Sequence, residues 1–180
     1  WPQPNAEGDG LERIRARAEA LSIRISSISG YYMSEKTSLS HLLANVEAAR
    51  RVGAPLISQG CFEPDPSRVA ELLRDYARAA DDAGVRIALE FMPMSSLKTI
   101  ADAQRVIADS GARNVGLLIE GHCDERGTEE YNRSLGERRA LAIRDMILDS
   151  GVEVDRVVTV TFGEDKPEAV GHDDAAWAIN

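Results

Sequence analysis

Glu120, His122, Cys123, Asp124, Glu125 and Arg126 fall within seven positions of the chain, in the stretch NVGLLIEGHCDERG at 114–127. These residue types can do three kinds of chemistry. Carboxylates and an imidazole can hold a metal ion. A carboxylate near a histidine can move protons. A cysteine near a histidine can supply a thiolate nucleophile. The last option is weak here. Adjacent residues at a strand end point apart, whereas a nucleophile and its base must share a hydrogen bond and an orienting third group.

The elements around the cluster alternate between helix and strand. Leu11, Ile14, Ala18 and Leu21 share one helix face, and Ile23–Ile28 reads as a strand. Leu42, Leu43, Val46, Ala49 and Val52 mark the next helix, with Gly53 as its cap, before a strand at Pro55–Gly60. Asp65-Pro66 opens a third helix, which carries Val69, Leu72, Leu73, Tyr76, Ala77 and Ala80 inward and ends at Gly84. Val85–Phe91 is a third strand. Leu97, Ile100, Val106 and Ile107 form a fourth helix ending near Gly111, and Val115–Ile119 is a fourth strand. Tyr131–Ser150 reads as a long helix with Leu135, Ala142, Ile143, Met146 and Ile147 inward. Gly136 inside it costs about 1 kcal/mol relative to Ala. Val157–Phe162 is a fifth strand, and Asp173–Asn180 suits a final helical turn.

Such alternation predicts a parallel sheet of βαβ units. The strands are continuous apolar runs, as when both faces are covered. Chemistry in such folds lies beyond the carboxyl ends of the strands. Those ends carry Ser29-Gly30-Tyr31, Gln59-Gly60-Cys61, Glu90-Phe91-Met92 and Glu120-Gly121-His122.

At 180 residues, with 43% hydrophobic and 28% charged side chains, the chain suits one globular domain or two small ones. No apolar run reaches the ~18–20 residues of a membrane span, and Trp1–Gly10 lacks the apolar core of a signal peptide. The charge is uneven. Residues 1–119 hold 15 acids and 14 bases, net −1, and residues 120–180 hold 15 acids and 7 bases, net −8. That balance argues against nucleic acid, whose phosphates demand a basic surface. Two cysteines make no disulfide framework and read as free thiols.

IRISSISG, GAPLISQG, YARAADDAGVRIALEFMP and SSLKTIADAQRVIADSGARNVGLLI together resemble the xylose isomerase-like barrel superfamily over about residues 9–119. The resemblance implies sugar isomerase or epimerase chemistry at a divalent metal held by a Glu, an Asp, a His and a second Glu. Glu90 matches the first Glu, and Glu120 stands where that Asp would be. The expected His position is Cys123, with His122 one residue early, and the strands carrying the later ligands have no counterpart here. Two carboxylates could hold a weakly bound ion at most. Glu90 and Glu120 therefore read as a vestigial metal pair, and no cofactor is expected beyond such an ion.

IEGHCDERGTEEYNRSLGERRALAIRDMILDSGV and VTVTFGEDKPEAVGHDDAAWAIN resemble the outer membrane protein A-like peptidoglycan-binding domains over about residues 118–180. That resemblance implies that Asp124 and Arg139 grip the diaminopimelate part of a peptidoglycan stem peptide. A carboxylate can take an ammonium, and an arginine fork can take a carboxylate. The family's opening strand and helix are absent from the match, so the pair is a vestigial binding site in this reading.

The two resemblances meet inside one strand, near Leu118–Glu120, with no Pro, Gly or Ser spacer. The expectation is an engineered chimera of two unrelated α/β fragments without evolved catalytic activity. Segment 1–119 is barrel-derived and segment 120–180 outer membrane protein A-like, in a single composite domain over 1–180. Residual stem-peptide binding and a metal-dependent isomerase are the alternatives. The parents imply cytoplasm and periplasm respectively, so compartment stays open. The expected fold is α/β, with a five-stranded, mainly parallel sheet and helices on both faces. A half-barrel that pairs as a homodimer is the alternative, because five strands are too few to close a packed barrel.

Overall fold

In the computed structural model, residues 9–92, 94–149, 151–167, 169 and 171–179 are described. Five strands, β1 (Ile28–Met33), β2 (Leu56–Cys61), β3 (Arg86–Leu89), β4 (Val115–His122) and β5 (Val157–Gly163), alternate with helices. The helices are α1 (Gly10–Ala20), α2 (Leu39–Val52), α3 (Pro66–Asp82), α4 (Ile100–Ser110), α5 (Glu129–Asp149) and the single turn α6 (Asp174–Trp177). The strands follow one another in one sheet, in the order β1-β2-β3-β4-β5. Each pairing from β1 to β4 is parallel, with Ile57 opposite Ile87 and Ile87 opposite Val115. The expected five-stranded α/β sheet is present.

The chain divides into two compact units, Trp1–Leu117 and Leu118–Asn180, with the boundary inside β4. In the first unit, α2 packs on α3 and α3 on α4, so these helices stand side by side on one face. Right-handed crossovers between consecutive adjacent strands return each helix to the same side, as in a singly wound barrel segment. The core beneath them is Leu42, Leu73, Tyr76, Ile87, Leu89 and Leu117, all fully buried. Asp65 starts α3 by accepting a hydrogen bond from the Ser67 amide at 2.9 Å, with Pro66 behind it. Thr99 and Asp102 cap α4 reciprocally, each taking the other's backbone N–H. Gly53 and Gly111 end α2 and α4 in the left-handed conformation.

The first strand is displaced from its expected place. Ile23–Ile28 reads as a strand by composition, but β1 runs from Ile28 to Met33 and Ile23 is 57% exposed. The pairing with β2 fixes this. Tyr31 and Met33 are the residues that bury, and the ladder shifts register between Ile28 and Tyr31 around Gly30 at φ 90°.

In the second unit, α5 lies against β5. Its buried face is Asn132, Gly136, Ala140 and Ile147. Of the expected inward residues only Ile147 is buried; Ala142, Ile143 and Met146 are exposed and Leu135 lies between. Backbone contact explains the rotation. A Cβ on Gly121 would sit 2.1 Å from the Gly136 carbonyl oxygen, and one on Gly136 2.5 Å from Thr161 Oγ1. The helix turns its smallest residues to the sheet so that the two backbones touch. The local cost of Gly136 in the helix is offset by that approach.

Candidate functional site

The cluster at 120–126 lies where β4 ends and the chain turns into α5. Thr128 starts that helix, its hydroxyl accepting from the Tyr131 amide at 3.2 Å. Alternation along β4 divides the cluster. His122 turns its Nδ1 to the Lys166 carbonyl at 2.6 Å and stacks on Phe162. Cys123 turns inward, 1% exposed, with its thiol donating to the Asn132 carbonyl at 3.1 Å. The thiol and the imidazole do not meet, so no Cys–His nucleophile forms. Glu120 binds the Lys166 ammonium at 2.8 Å, and its Oε2 lies 3.4 Å from His122 Nε2.

Asp124 and Arg139 do come together. Both line a cleft of about 340 Å3 with Cys123, Arg126, Asn132 and Leu135. Asp124 is held by Arg126, which donates from Nη2 to Oδ2 at 2.8 Å and from Nε and its own amide to Oδ1 at 3.0 and 2.9 Å. These bonds, with a smaller contribution from the nearby Arg139 charge, pull the Asp124 carboxyl down to about 2. It is an anion at any physiological pH. Arg139 is braced by the His122 carbonyl, to which Nη1 donates at 2.7 Å. Asn132 closes the floor by donating from Nδ2 to the Asp124 carbonyl at 3.1 Å and to Glu164. An anion and a guanidinium thus face one cleft, the arrangement that accepts a ligand bearing an ammonium and a carboxylate.

The turn is tied down from the far side. Glu125 Oε1 accepts from His172 Nδ1 at 2.9 Å and from Trp177 Nε1 at 3.0 Å. The Arg126 guanidinium lies 4.4 Å over the Trp177 ring. Asn132, Lys166 and Trp177 are contacts of the cluster that sequence reasoning did not name, and Arg126 was named without its role toward Asp124. Arg126 was visible in the motif, at i+2 from an aspartate; the other three are set by tertiary contact.

Glu90, in the first unit, accepts a hydrogen bond from the Ser58 hydroxyl. The isomerase likeness would bring a divalent ion to Glu90 and Glu120, and these residues do not fit one. Glu120 is neutralised by an ammonium. Among the described residues no three His, Cys, Asp or Glu side chains are grouped to hold a metal.

Strand order defines an α/β protein with consecutive strands side by side, and a cleft lined by Asp124 and Arg139 lies at the end of β4. The chain belongs to the OmpA family. The family profile matches residues 90–177, beginning ahead of the seam near Leu118. Peptidoglycan-associated lipoproteins are similar to it. That of Rhizobium meliloti strain 1021 is 44% identical over 96 residues, 50% of this chain and 54% of the relative. That of Mesorhizobium japonicum is 39% identical over 142 residues, 71% of this chain and 83% of the relative. The chain spans about half the length of the first relatives it matches, 54% in each of two. Barrels of the xylose isomerase type are among its solved fold neighbours. The structure of L-ribulose 3-epimerase is one, at 18% identity and TM-score 0.59, over 90% of this chain and 69% of that one. The chain thus has two parts, one OmpA-like and one with the fold of those isomerase-like barrels.

Proposed function

We propose that the chain is an engineered join of two α/β fragments that performs no catalysis, and that its remaining activity is binding a peptidoglycan stem peptide. Binding rests on one observation, that Asp124 and Arg139 line the same cleft. The diaminopimelate side chain ends in an ammonium and a carboxylate, and the cleft offers one partner for each. The join rests on the boundary between the compact units at Leu117–Leu118, beside the change in sequence character near Leu118–Glu120. The single composite domain belongs to the same proposal.

A pull-down on purified cell-wall sacculi tests the binding. Retention of the wild-type chain and loss of most of it in Asp124→Ala and in Arg139→Ala is the expected result. Equal retention of all three would reject the reading. A natural gene encoding this continuous sequence would reject the engineered join without touching the binding.

A further inference from the structure

We propose that the free edge of β1 is a docking slot for strand β5 of a second copy of this chain. β1 stands at one end of the sheet order. Beside it lies a groove of about 620 Å3, walled by Leu11 and Ile14 of α1, Ile25 and Ile28, and Ala48 and Val52 of α2. α1 packs on α2, and Arg51 clamps Glu12 through two hydrogen bonds of 2.6 and 2.8 Å. α1 is therefore held on the rim of a groove that, among the described residues, no strand of the sheet occupies. Ile14 is 55% exposed there, and Tyr32 41%. An extended apolar segment would gain the unpaired backbone groups of β1 and these apolar walls together.

The chemistry of the slot selects its occupant. It needs an edge strand without charge or proline. β5 stands at the other end of the order and reads VVTVTFG, with six of its seven residues half-exposed. It lacks the lysine, proline or inward charge with which edge strands usually block pairing. The flanks match as well. Setting Val157 beside Ile28 in a parallel register places Glu153 beside Arg24 and Asp165 beside Lys36, all four exposed. Glu35 falls beside Glu164 in that register, so two attractive pairs stand against one repulsive pair. This is a heterologous contact, in which each copy offers one slot and one strand.

Mixing two variants, each with one added exposed cysteine beside the buried Cys61 and Cys123 and each with a different size tag, tests it, because only a contact between copies can join them. Arg24→Cys is mixed with Glu153→Cys under mild oxidation and resolved on a non-reducing gel. A control mix of Arg24→Cys with Glu137→Cys uses an exposed position on α5. The expected result is a heterodimer band several-fold stronger than in the control. In sedimentation the wild type should exceed the monomer mass, and Val160→Lys should return it to 19.6 kDa. A band no stronger than the control, a wild type that stays monomeric at high concentration, or association unchanged in Val160→Lys each overturns the proposal. Circular dichroism on the variants confirms that they are folded.

Discussion

Asp124 illustrates how a single residue acquires its character from neighbours. Arg126 donates to both of its oxygens, which still have acceptor capacity, and its carboxyl is held down to about 2. A depressed carboxyl pKa contributes stability above the unfolded value, about 3.9, and loses it as pH falls through the folded value. Arg126→Ala should therefore move the Asp124 titration upward, toward about 3.9, as followed by NMR of the side-chain carbonyl. Acid tolerance between about pH 4 and pH 2 should fall with it. His172 and Glu125 form a second pair with opposite shifts. The Glu125 hydrogen bond raises the His172 titration above 6.5, and His172 lowers that of Glu125. The His172 contribution is whole below its unfolded value and is lost as pH rises through its folded one; the Glu125 contribution is lost on the acid side. The latch on Trp177 should be tightest between the two titrations. Trp177 fluorescence in a Trp1→Phe background should show one step at each edge of that window, and His172→Ala should remove the upper step. Asp124 and Arg139 could be named from the chain because the family resemblance carries them, residue by residue. Lys166 and Trp177 could not, since each reaches the site across more than forty residues.

At the scale of elements, local signals located most helices and missed their orientation. Asp65-Pro66, Gly53 and Gly111 mark boundaries because caps are decided within a few residues. Asp65→Ala should cost about 1 kcal/mol by urea denaturation, the usual worth of an N-cap. The inward face of α5 was misjudged because its large apolar residues, Ile143 and Met146, are the exposed ones. Hydrophobicity votes for the widest side chains, whereas this interface selects the narrowest. Gly136→Ala should lose about 1–3 kcal/mol through overpacking against Thr161 and the β4 backbone. Gly10→Ala, where nothing lies within 4 Å, should be neutral or stabilising by up to about 1 kcal/mol. The displacement of β1 has a similar origin. Its composition extends over Ile23–Ile28, but register with β2 is a long-range constraint that no local window contains.

For the whole molecule, the strand count and the parallel sense were legible, because alternation is distributed along the chain. The side-by-side packing of α2, α3 and α4 was not, because strand order decides which helices are neighbours. The composite-domain proposal predicts one cooperative urea transition. Trp177 fluorescence in the Trp1→Phe background and far-UV ellipticity should report the same midpoint, and two separated midpoints would show independent units. The contact between Gly121 and Gly136 has a further consequence for what selection can do here. An interface between side chains can be tuned by small exchanges, a methyl added or removed. One made of two bare backbones has no such steps: every substitution adds bulk, so it is kept or broken. Under the proposed binding, variation that alters ligand preference falls on the lining of the cleft, at Arg126, Leu135 and Arg139, while Gly121 and Gly136 stay fixed.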